Sequence, residues 1–96
     1  MPQNLNPSAY AQSTLLNVTA STLVKSGLGR VFSVNVTTAG AAGGIYDVAT
    51  TGAAGAANLI ATIPATVGTY NYFGLPFENG LVYVPGSAQV VSISYS

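Results

Sequence analysis

The segment RVFSVNVTT, from Arg30 to Thr38, alternates apolar and polar residues with period two. Successive side chains on a strand point to opposite faces, so this pattern specifies a half-buried β-strand. Phe32, Val34 and Val36 are expected on the buried face, with Ser33, Asn35 and Thr37 outside. The closing segment, Gln89 to Tyr95, repeats the alternation, with Val91, Ile93 and Tyr95 inward and Ser92 and Ser94 outward. Further strands are expected near Gly44–Ala49, Asn58–Ile63, Thr69–Phe73 and Leu81–Val84. Thr14–Val18 and Ser21–Lys25 are expected to form a first pair. Gly, Pro and Asn punctuate the chain every eight to twelve residues, the spacing of a sandwich or barrel. The fold expected is all-β: one small antiparallel β-sandwich, jelly-roll or Greek-key like, of about eight strands spanning 13–96.

Asn79-Gly80 is a favoured tight-turn dipeptide. Pro85-Gly86 marks another turn, read as joining the last two strands in a hairpin. The alanine-rich stretch Ala53 to Ala61 could form a helical turn or two. Gly52, Gly55 and the lack of a polar face favour a loop followed by a strand. TTAGAAGG (Thr37–Gly44) and TTGAAGAA (Thr50–Ala57) echo each other but are too short and close for a solenoid repeat. They flank the Gly44–Ala49 strand and so belong at opposite ends of the sandwich. They are either ordinary small-residue loops or loops that pack against a partner.

Residues 1–12, MPQNLNPSAYAQ, are different: two prolines, amide side chains and few large apolar groups. Proline disfavours helix at its own position and at the preceding one. The segment reads as an extended N-terminal arm or a frayed terminus. Leu5 and Tyr10 point toward an arm that docks on something.

Ninety-six residues make one domain. The chain has no cysteine or histidine, so neither a disulfide nor a Cys/His metal site supports it. A membrane-spanning helix needs about 20 consecutive, mostly apolar residues. The uncharged run from Val48 to Phe77 is broken by Gly52, Gly55, Asn58, Pro64, Gly68 and Asn71. The first residues lack a positive segment followed by an apolar core, so no signal peptide is read there. The expectation is a soluble domain that contacts no membrane.

Lys25, Arg30, Asp47 and Glu78 are the only charged side chains, 4% of the chain, against about 25% in an ordinary soluble domain. This scarcity excludes function classes. Acid–base and nucleophilic catalysis depend on His, Cys or tuned carboxylate pairs, so no catalytic residue is assigned and no enzyme is expected. Asp47 and Glu78 read as a strand position and a turn position rather than a glycosidase pair. Two scattered carboxylates are a poor supply of calcium ligands. GAAGG and GAAGAA lack the endings and spacings of phosphate-binding loops. No metal or cofactor is expected. Two cations neutralise too few phosphates for nucleic-acid binding. The sequons at Asn17 and Asn35 read as Thr-rich strand sequence.

One constellation stands out in GTYNYFGLPF: Tyr70 and Tyr72 on one face of a strand, Phe73 on the other, and Phe77 nearby. Such a row is core on one face, seals a protein interface, or binds sugar. The candidate interface residues are Leu5, Tyr10, Tyr70, Tyr72 and Phe77.

RVFSVNVTTAGAAGGIYDVATTGAAGAANLIATIP followed by GTYNYFGLPFENGLVYVPGSAQVVSISY resembles small virion proteins of tailed bacteriophages. The shared features are V-x-V-T-T-A-G leading to an Ile-Tyr-Asp strand, then I-A-x-I-P, G-x-Y, F-x-x-G-L-x-V and a closing V-x-Y strand. The resemblance spans roughly Leu15 to Tyr95 and contains no invariant chemical motif. It implies a capsid decoration (cement) or head-fibre subunit: a β-sandwich made in the host cytoplasm that sits on the capsid surface. The implied partners are copies of itself, with a trimer favoured, and the major capsid protein. The alternative is a receptor- or glycan-binding module of a phage fibre, using the Tyr70/Tyr72 face. The low charge agrees with burial by assembly, because obligate interfaces resemble a domain core cut in half.

Overall fold

A computed structural model describes residues 13–96. It contains eight strands: β1 (Ser13–Val18), β2 (Thr22–Ser26), β3 (Gly29–Thr38), β4 (Gly43–Asp47), β5 (Leu59–Ile63), β6 (Gly68–Phe77), β7 (Gly80–Val84) and β8 (Val90–Tyr95). They form two antiparallel four-stranded sheets, in the orders β1-β8-β3-β6 and β2-β7-β4-β5. Strand β1 pairs with β8, β2 with β7, β3 with β6 and β4 with β5. The chain is thus one long ribbon, doubled back near its middle and rolled so that its two faces close on each other. This is the jelly roll, one of the expected topologies.

The pairing departs from expectation at both ends. Strands β1 and β2 do not form a first pair, and Pro85-Gly86 does not close a β7–β8 hairpin. In both cases the consecutive strands lie in different sheets. The links are corners that carry the chain across the sandwich, so the apolar faces of successive strands oppose each other instead of lying side by side. Only β4 and β5 are both consecutive and paired. Their link holds two short 3-10 turns, Thr51–Ala53 and Ala56–Asn58, where loop then strand was favoured. Asn58 closes the second turn: its Oδ1 accepts the Gly55 N–H at 2.9 Å and its Nδ2 donates to the Ala53 carbonyl at 3.0 Å.

Val18, Val31, Val34, Val36, Ile45, Ile63, Phe77, Leu81, Tyr83, Val91 and Ile93 make one core between the sheets. Full burial of such a side chain is worth about 1.5–3 kcal/mol. Strand β3 corrects the simple alternation. Val31, not Phe32, joins Val34 and Val36 in the core, and Phe32 is half-buried. The cause is a bulge. Against β8, Val31 pairs with Tyr95 and Ser33 with Ser94, so β3 uses two residues where β8 uses one. Against β6, Val31 pairs with Leu75 and Ser33 with Asn71, so a second bulge, on β6, sets Tyr72, Phe73 and Gly74 opposite Phe32. An irregularity of this kind breaks the period-two facing of side chains. On β8, Val91 and Ile93 are buried as expected and Tyr95 is half-buried. Ser92, expected outward, is nevertheless 8% exposed, within the sheet interior between β1 and β3.

The two look-alike loops do lie at opposite ends, and they are packed differently. The Ala41 N–H donates to the Ser87 carbonyl at 2.9 Å, laying the β3–β4 link against the β7–β8 link. A Cβ on Gly40 would stand 2.3 Å from the Ser87 carbonyl oxygen, whereas one on Gly52 would meet nothing within 4 Å. Backbone on backbone leaves no side chain that can move aside. Gly40→Ala is therefore expected to cost about 1–3 kcal/mol, while Gly52→Ala stays within about 0.5 kcal/mol of the parent. Urea denaturation of the two variants checks this.

Candidate interaction surface

Strand β6 is the edge of the first sheet and carries the aromatic row. Tyr70 and Tyr72 are half-buried and pack against the core from the sandwich edge. The Tyr70 hydroxyl donates to the Thr66 carbonyl at 2.7 Å and that of Tyr72 to the Thr62 carbonyl at 3.0 Å. Both phenols therefore tie β6 to β5 and to the link between them. Burial, with a smaller contribution from Tyr70, pushes the Tyr72 phenol above its ordinary value. Phe77, expected at an interface, is 0% exposed and belongs to the core. The bulge on β6 restores its inward direction after Phe73. Leu5 and Tyr10 lie outside the described residues.

Phe73, which was not among the candidate interface residues, is 86% exposed. Its backbone is left-handed, with φ of 56°, a conformation that costs a bulky residue about 1–3 kcal/mol. Two interactions hold it. The Asn71 Oδ1 accepts the Phe73 N–H at 2.9 Å, and Arg30 Nη1 donates to the Gly74 carbonyl at 3.0 Å. Gly74 itself has φ of 80°, which glycine adopts without strain. Periodicity places a residue on a face but is blind to this local fold of the backbone.

The outer face of the second sheet is apolar. Leu23, Val82, Tyr46 and Leu59 are register neighbours across all four strands. Val82, between the inward Leu81 and Tyr83, is closed off from solvent, while Leu23 and Leu59 are 38% and 41% exposed. The outer face of the first sheet is mostly polar, with Arg30 as an exposed cation at the start of β3 and a shallow groove bordered by Thr14, Leu16, Asn35, Thr37, Val67 and Thr69. Leu16 and Val67 are exposed there, and Thr69 donates to Asn35 Oδ1 at 2.6 Å.

The polar groups inside the fold are structural. Gln89 is 1% exposed. Its Oε1 accepts the Tyr83 hydroxyl, and the Gly86 N–H at 3.4 Å, while its Nε2 donates to the Pro64 carbonyl at 2.8 Å. Burial pushes the Tyr83 phenol up to about 12. Nothing in the sequence singles out this glutamine. Asp47 is engaged by backbone donors. It accepts the Glu78 N–H at 3.0 Å and the Asn79 N–H at 2.7 Å, closing the β6–β7 corner onto β4. Burial pushes its carboxyl up, but backbone donors from Asn79, Glu78 and Gly80, with the Asn79 side chain, outweigh that and hold it below its ordinary value.

The chain matches no protein-family description, no curated protein and no solved structure.

The Asp47 contribution to stability is present above the ordinary carboxylate pKa and is lost as pH falls through the lowered folded value. Asp47→Asn is expected to cost about 1 kcal/mol at pH 7, with the gap between variant and parent closing at pH 2 in parallel urea titrations. At the alkaline limb the sign reverses. Stability from Tyr83 is intact below pH 10 and is lost as pH rises through about 12. Tyr83→Phe should therefore flatten the decline in that window, read by fluorescence-monitored unfolding.

Proposed function

We propose that this protein is a structural subunit of a virion: a decoration (cement) or head-fibre protein that assembles as a closed homo-oligomer on a phage head and stabilises it. The observation that carries the reading is the surface of the sandwich. Charge is scarce on both outer sheet faces, and one carries an apolar row from Leu23 to Leu59 across four strands. The ends of this row, Leu23 and Leu59, reach solvent, and exposed apolar patches mark interaction sites. Buried between subunits, it contributes as a core does.

The jelly roll agrees with the reading by analogy, since viral capsid domains use it, but lectins and cupins do as well. The wording shared with phage virion proteins is what separates these. A trimer is the expected state, because threefold positions recur across icosahedral shells. Its partners are further copies of itself and the major capsid protein, with residues 1–12 anchoring to the shell or to a neighbouring subunit. A glycan-binding role for Tyr70 and Tyr72 draws less support from the geometry, since both hydroxyls are engaged with backbone carbonyls.

Light scattering tests the assembly. The full-length protein should run as one oligomer at micromolar concentration, and its mass should be the same at 50 mM and 1 M salt, because faces this poor in charge offer few charge pairs to screen. Leu59→Lys, placing a charge in the apolar row, should dissociate it. A clean monomer of the parent protein would sink the reading.

A further inference from the structure

The four charged residues are scattered along the chain, at positions 25, 30, 47 and 78. The rolled ribbon collects all four at one pole. Lys25 is near the end of β2, Arg30 at the start of β3, Asp47 at the end of β4 and Glu78 in the corner before β7. The corners join at that pole: the Gly27 N–H donates to the Asn79 carbonyl at 3.0 Å, and Asp47 accepts from Glu78 and Asn79. The opposite pole, made of the links 19–21, 39–42, 64–67 and 85–89, has no charged residue.

Within the charged pole the signs separate. Lys25 and Arg30, the only cationic side chains in the protein, line the same cleft together with Leu28, Gly29, Pro76 and Ser96. No acidic side chain lines it. Asp47 faces the β6–β7 corner, where backbone donors already satisfy it. Beside the cleft stand the two most exposed large apolar side chains of the described residues, Leu28 at 72% and Phe73 at 86%. Arg30 connects them: it lines the cleft with Leu28 and donates to the Gly74 carbonyl next to Phe73. An exposed aromatic held in a strained backbone, next to arginine, is the composition of a binding anchor.

We propose that this pole is a docking surface for a protein partner that presents carboxylates around an apolar hollow. Phe73 fills the hollow, and Lys25 and Arg30 meet the carboxylates. With no acidic side chain in its lining, the cleft is complementary to carboxylates on the partner. Residues 1–12 contain no charged side chain, so they do not neutralise the cleft. The described residues begin at Ser13, which pairs with Tyr95 at this same pole. The proposal rests on the virion reading above, in which that partner is the capsid shell. It divides the molecule in two: charge-poor faces for copies of itself, the charged pole for the shell.

The test uses full-length protein and shells of the same phage assembled without it, in co-sedimentation titrations at 50 and 500 mM salt. Phe73→Ala should weaken shell binding about tenfold or more at both salt concentrations, with the oligomer intact by light scattering. Lys25→Glu should weaken it about tenfold at 50 mM salt, the difference from the parent shrinking at 500 mM. Thr19→Glu, at the neutral pole, should bind as the parent does. Parent-like binding by both Phe73→Ala and Lys25→Glu overturns the docking surface while leaving the virion reading standing, as does loss of binding in Thr19→Glu alone. A parent protein that binds no shells overturns both.

Discussion

Strand pairing in this protein joins the two halves of the chain in mirror order, β1 to β8, β2 to β7, β3 to β6 and β4 to β5. Everything else depends on that arrangement. Only the innermost pair is local, so three of the four ladders form across long stretches of chain, and closing those loops costs entropy before the contacts return it. The return comes from the two apolar faces meeting as the ribbon rolls. Bulges make the roll possible. Irregularities in β1, β2, β3, β5 and β6 let each strand bend while its core residues stay inside.

The two poles are held by different chemistry. At the neutral pole, loops pack backbone against backbone, and buried Gln89 gathers Tyr83, Gly86 and Pro64 into one satisfied network. A buried amide left half-satisfied would be costly, so the network fixes where the corners sit. At the charged pole, Asp47 does the equivalent for the β6–β7 corner with a carboxylate rather than an amide. The carboxylate thus sits where the surface is already charged, and the amide where it is neutral.

Much of the architecture was legible in the residues. All eight strands fall close to where alternation and punctuation place them, and Val34, Val36, Val91 and Ile93 are inside as their period requires. What was illegible shares one cause: it depends on where a strand finds its partner. The β1–β2 and β7–β8 links look like hairpin turns, yet each serves as a corner between sheets. Phe32 yields its inward place to Val31 because a bulge sets two residues of β3 against one of β8. Phe77 sits inside and Phe73 outside because of the bulge on β6, and Gln89 is a core residue because three separate segments converge on it.

The amino-acid sequence alone determined how little charge there is, and with it which chemistries the chain lacks the side chains to perform. It also determined that the chain is built of strands, since propensity and period are local properties. It could not say where the charges lie relative to one another. Positions 25, 30, 47 and 78 come to one end of the sandwich only because antiparallel pairing returns the chain to that end at every second corner. That convergence turns four isolated side chains into one charged pole on an otherwise neutral sandwich.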